Sequence, residues 1–221
     1  MPRLIRDNGL SIVLAALFVV LLAGQSVAGM HQYNEEQREH GGAVVSYGGY
    51  LATAHFGEAV FENWESEFLQ MGAYILLTAF LFQRGSAESK DPDAPEDKDA
   101  ALAAHRDDPD VPGPVRQGGI ALALYRYSLL LAFFVLFVGS FIGHAVAGLG
   151  EYNADQVSHG EPTTTLAGYL GGSRFWFESL QNWQSEFLAV LAIVLLSVWL
   201  RADGSPESKP VWKPHRATGN S

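Results

Sequence analysis

The chain contains no cysteine, which removes disulfides, thiolate metal sites and cysteine nucleophiles. It also lacks a cluster of basic residues. Its 14 Lys and Arg stand against 24 Asp and Glu, for a formal net charge of −10, so nucleic acid is not an expected partner. No G-x-S-x-G elbow, phosphate-cradling glycine loop or metalloprotease motif occurs. No enzyme class is therefore favoured, and no catalytic residue is assigned. Ionisable groups are missing from long stretches too: Leu10 to Gly29 has none, and Ser128 to Gly150 has only His144. Each is long enough to cross a hydrocarbon core of about 30 Å as a helix.

What the chain does contain is one heptapeptide written twice. Asn63-Trp64-Glu65-Ser66-Glu67-Phe68-Leu69 returns as Asn182-Trp183-Gln184-Ser185-Glu186-Phe187-Leu188, 119 residues later. The same offset relates Tyr33 to Tyr152, Asn34 to Asn153, Gln37 to Gln156, His40 to His159 and Gly49-Tyr50-Leu51 to Gly168-Tyr169-Leu170. It continues to Glu88-Ser89-Lys90 and Glu207-Ser208-Lys209. We read this as a tandem duplication. Shorter apolar runs, Phe68 to Phe82 and Phe187 to Leu200, follow the two heptapeptides and are preceded by amphipathic sequence that can lengthen their helices.

The expected fold is an all-α integral membrane protein with four transmembrane helices, arranged as two tandem, parallel-oriented helical hairpins. The first two-helix repeat takes residues 1–84, a disordered cytoplasmic linker 85–117, the second repeat 118–203, and a cytoplasmic tail 204–221. A brief helix within the linker is expected over Asp97 to Arg106. Ser26-Val27-Ala28 has the look of a signal cleavage site, but the second copy of that segment is internal, so the first is expected to stay in the membrane. Twelve of the fourteen basic residues fall on one side of the spans, at Arg3, Arg6, the linker and the tail. The positive-inside rule then places both termini in the cytoplasm. The expected location is the cell (plasma) membrane, with the lipid bilayer as partner and a homodimer or another membrane protein as a further one.

Polar residues recur along one stripe of the first helix of each repeat. Gln25, Gly29, Tyr33, Gln37 and His40 share a helical face, as do His144, Gly148, Tyr152, Gln156 and His159. Gly41 and Gly160 follow as helix terminators. With the carboxylates of Glu67 and Glu186 just before the apolar runs, the candidate ligand or metal cluster is Tyr33, Gln37, His40, Glu67, Tyr152, Gln156, His159 and Glu186. Two His and two Glu suit zinc, manganese or iron; no cofactor is specified beyond a metal ion of this kind. The competing expectation is that the same groups join helices by hydrogen bonds. Gln25, Asn34, Asn63, His144, Asn153 and Asn182 are assigned to such packing. Trp64 and Trp183 are expected as membrane-interface anchors.

The pattern Tyr-Asn-x-x-Gln-x-x-His-Gly together with Asn-Trp-x-Ser-Glu-Phe-Leu resembles an uncharacterised bacterial family of small membrane proteins, a domain of unknown function. The resemblance covers nearly the whole chain apart from linker and tail. It implies membrane location and brings no activity, substrate or catalytic residue. The expected function is a non-enzymatic structural or ligand-binding membrane component with a paired polar cluster at the outer face. Two alternatives stand beside it: a small transporter or ion or proton channel, and a metal- or haem-binding membrane protein. Symmetric bis-histidine haem ligation is disfavoured, since the counterpart of His144 is Gln25.

Overall fold

The computed structural model describes residues 3–93, 102, 104–106 and 108–219. Among them every regular element is helical: α1 (Arg3–Glu39), α2 (Tyr47–Tyr50), α3 (Ala54–Phe80), α4 (Gly113–Gln117), α5 (Gly119–Arg126), α6 (Ser128–Ser158), α7 (Leu166–Gly171) and α8 (Ser173–Leu196). The non-helical backbone of Asn8 interrupts the first turns of α1. Adding 119 to the end of α1 gives the end of α6, and adding it to the starts of α2 and α3 gives those of α7 and α8.

Among the described residues, three helices are long and apolar enough to cross a membrane: Ile5–Glu39, Ser128–Ser158 and Ser173–Leu196. Their large apolar side chains face outward, among them Leu14, Leu17 and Phe18 on α1 and Phe134 and Val135 on α6. In water such surfaces would drive aggregation, whereas in lipid they are the solvated face. Helix α3 falls short. Glu58, Glu62, Glu65 and Glu67 occupy its first half, and its apolar part, Phe68 to Phe80, spans only about 20 Å at 1.5 Å per residue.

The chain divides into two compact units, Met1–Phe61 with Ile142–Phe175, and Glu62–Phe141 with Trp176–Ser221. Each unit draws segments from both halves of the sequence. In the first, α1 and α6 end alike. Gly41 and Gly160 both take φ of 73°, the left-handed geometry that glycine supplies without steric cost. The amide of Gly42 then donates to the Gln37 carbonyl, and that of Glu161 to Gln156, which closes each helix in a Schellman turn. Gln37 lies over Gly42, and Gln156 reaches the Pro162 carbonyl at 3.5 Å.

In the second unit, the beginning of the expected tether is folded. Ser86, Ala87 and Ser89 are buried. The Ser89 hydroxyl accepts from the Gln83 amide and donates to the Lys90 carbonyl, and Ser208 repeats both bonds with Ala202 and Lys209. The tail is folded as well. Lys209 is only 1% exposed, and its ammonium donates to the carbonyls of Gly85, Val198, His215 and Ala217. Four acceptors around three N–H groups satisfy a buried cation that would otherwise be expensive. Burial, Arg201 and Lys213 push its pKa down, while the carbonyl dipoles oppose that shift by favouring the charged form. The brief helix expected over Asp97 to Arg106 falls largely outside the described residues.

Candidate functional site

Unit one assembles its polar groups in two matching sets. The short helices α2 and α7 are capped by Ser46 and Thr165, whose hydroxyls accept from the amides of Gly49 and Gly168 at 3.2 Å each. Each carries one tyrosine inward: Tyr50 is 1% and Tyr169 2% exposed. Their hydroxyls occupy the space where Gly29 and Gly148 would carry a Cβ, so glycine on the helix stripe forms a notch for a phenol. The chain leading into each short helix is clamped by an asparagine. Asn34 donates to the Val45 carbonyl at 3.0 Å and accepts from the Val45 amide at 2.7 Å. Asn153 does the same with Thr164, at 3.1 and 2.8 Å. These two asparagines therefore hold a loop against its own helix, in place of the helix-to-helix role expected from sequence.

The candidate tyrosines lie beside the notches. The Tyr33 ring is 5.8 Å from Tyr50 and 5.4 Å from His55, and the Tyr50 hydroxyl meets His55 Nδ1 at 3.1 Å. In the other set Tyr152 packs on Tyr169 at 5.7 Å. The Arg174 guanidinium, counterpart of His55, lies 5.6 Å over the Tyr152 ring and 3.5 Å from Asp155. Burial, with the charges of Glu151 and Glu36, pushes the Tyr50 hydroxyl up, so it stays a neutral hydrogen-bonding group.

His40 and His159 meet, with ring centroids 5.8 Å apart. Both are exposed. Each Nδ1 lies 2.9 Å from the carbonyl four residues earlier, Glu36 for His40 and Asp155 for His159. A carbonyl can only accept, so in these bonds Nδ1 carries the proton, and in the neutral ring Nε2 is then the nitrogen with a lone pair.

Glu67 and Glu186 belong to the second unit, where each is a charged neighbour of the other. Among the described residues of that unit, the buried carboxylate is a different one. Glu65 is 0% exposed and accepts from the Trp183 indole at 3.0 Å, so the polar edge of Trp183 turns into the protein. Trp183 also packs against Trp176 and Phe137. Asn182 donates to Glu62, and Gln70 to the Glu186 carbonyl at 3.0 Å. Gln25 and Asn63 are exposed.

His144, assigned to packing, is 0% exposed and stacks on buried Phe175 at 4.8 Å. It also has a carboxylate neighbour that sequence reasoning missed: a Glu58 oxygen lies within 4.8 Å of a His144 ring nitrogen. The missed carboxylates share a signal. Glu58 and Glu65 stand where the other half has Phe177 and Gln184, and His144 where it has Gln25. Residues common to both halves shape loops and helix ends; the buried Glu and His side chains are those that differ.

Helices of this length and apolarity, with aromatic and polar clusters at their ends, define an all-helical, multi-pass membrane protein. The chain belongs to the family described as a domain of unknown function, DUF6766, whose model matches residues 1–220. No curated protein matches the chain, and no solved structure does.

Proposed function

We propose that the chain is a non-enzymatic membrane protein of four crossings, two tandem parallel-oriented hairpins with cytoplasmic termini in the plasma membrane. In this reading α3 is the fourth crossing, supported by its correspondence with α8, and the basic residues set the orientation. Its outer polar cluster binds a ligand, a divalent transition-metal ion held through His40 and His159. The observation that carries this reading is the imidazole pair, 5.8 Å apart, each ring with Nδ1 held by a backbone carbonyl. A second-shell acceptor of this kind orients a ligating imidazole and leaves Nε2 for the metal. Exposure makes both nitrogens reachable, and imidazole suits zinc, copper or nickel.

The test is elemental analysis of purified protein equilibrated with zinc, wild type beside a His40→Ala, His159→Ala double variant. One metal per wild-type chain, and none in a variant with the same melting profile, is the expected result. Metal-free wild type would return the pair to a packing role.

The proximity of Glu67 and Glu186 favours one second reading, a cation path, which a homodimer would give more room. Cation flux in proteoliposomes, lost on joint Glu67→Gln and Glu186→Gln substitution, would support it. Absence of flux in the wild type would remove it.

A further inference from the structure

Within the second unit, a cavity of 330 Å³ lies between α3 and α8 at the turn that follows α3. Its walls are apolar, with Leu77, Leu81, Phe187, Val190, Leu191 and Val194 prominent. At about 30 Å³ per water-sized group, it holds a body of roughly ten non-hydrogen atoms. One end is polar and acidic. The Tyr74 hydroxyl donates to Glu88 Oε2 at 2.6 Å. Glu88 Oε1 is buried and receives no bond from an amide, hydroxyl or basic group among the described residues, and the Glu88 side chain pairs with the carboxyl of Glu207.

The charge around that oxygen is negative. Glu207 is a carboxylate neighbour of Glu88, and no Lys, Arg or His among the described residues lines the cavity. Of the basic residues near it in sequence, Lys90 is exposed and Arg84 is committed to Asp93. An apolar body with a hydrogen-bonding positive head completes both ends of this space, because a half-desolvated carboxylate gains most from a cation that can donate. An anion would meet two carboxylates. An alcohol would leave the charge uncompensated, and a quaternary ammonium has no N–H for Oε1.

We propose that this cavity binds a lipophilic primary amine, its ammonium on Glu88 and the Tyr74 hydroxyl and its apolar body between α3 and α8. The site is separate from the imidazole pair and stands without it. Tyr74 and Glu207 are the titratable groups facing Glu88, and protonation of Glu88 in acid removes the charge the ammonium needs.

The probe is n-octylamine, with n-octanol as the neutral control for partitioning into detergent. Equilibrium binding to the purified full chain is expected to be saturable at one octylamine per chain, and not matched by octanol. Glu88→Gln, whose amide oxygen still accepts from Tyr74, should weaken it at least about tenfold, the loss of one charge-assisted contact. Leu191→Trp, which fills the cavity and leaves the carboxylate in place, should abolish it and serves as the deciding variant if Glu88→Gln does not fold. Octylamine uptake equal to that of octanol, or undiminished in a folded variant of either kind, would overturn the proposal.

Discussion

The phenol of Tyr50 sits in the space that a side chain on Gly29 would need, closer than real Cβ atoms approach their neighbours. Tyr169 and Gly148 stand in the same relation. Both tyrosines are buried while most of the helix surface is exposed, so these notches fix where the short helices dock.

Gly29→Ala and Gly148→Ala should therefore each destabilise the protein by about 1–3 kcal/mol, the usual cost of overpacking a filled site. Gly24→Ala is the control, because nothing lies within 4 Å of a Cβ there. Thermal unfolding in detergent reads the difference. Equal melting of all three variants would show that the tyrosines shift freely.

Lys90 and Lys209 occupy equivalent positions, but only Lys209 is buried. Replacing Lys209 with Met should cost about 3 kcal/mol, because carbonyls that received charged donors lose them. Lys90→Met should cost less than about 1 kcal/mol, as for exposed charges generally. Limited proteolysis gives a second readout: the tail of the Lys209 variant should be cut at protease concentrations that spare the wild type. Indistinguishable tails would mean that the ammonium contributes nothing to holding them.

Burial, and to a lesser extent Glu207, raises the Glu88 carboxyl, against the lowering effect of the Tyr74 hydrogen bond. A carboxyl raised in the folded chain adds stability that is complete below the ordinary carboxylate range and is lost as pH rises through the raised value. Glu88→Gln should accordingly raise the melting temperature at neutral pH, and its advantage over wild type should shrink in mild acid. A constant difference across that range would assign the effect to packing.

The sequence showed the helices that later proved long and apolar, because absence of charge over a bilayer's length is a one-dimensional signal. It also placed the ends of α1 and α6, since glycine after a polar helical stripe has few other uses. The shared offset made His40 and His159 equivalent positions; that their rings meet is a property of the fold. Loop geometry was less accessible. Asn34 and Asn153 reach backbone eleven residues away, a distance that helical spacing does not encode. Glu65 was hidden by its neighbour Glu67: both are acidic and two residues apart, and only the three-dimensional turn of α3 buries one and exposes the other. The fold of the tail depends on carbonyl acceptors around Lys209, which no composition reveals.

Glu58, Glu65 and His144 have Phe177, Gln184 and Gln25 as counterparts, and Lys209 has an exposed one. An assembly of two identical subunits must encode every interior charge twice, and so bear its desolvation twice. A single chain whose two parts match at an offset of 119 residues is released from that rule. Each half can keep the residues that shape its backbone and yield its interior positions to separate selection. For these four positions the interior ionisable side chain occurs once per chain, which makes the two parts non-interchangeable: a chain of two first parts would lose His144, and a chain of two second parts would lose both carboxylates.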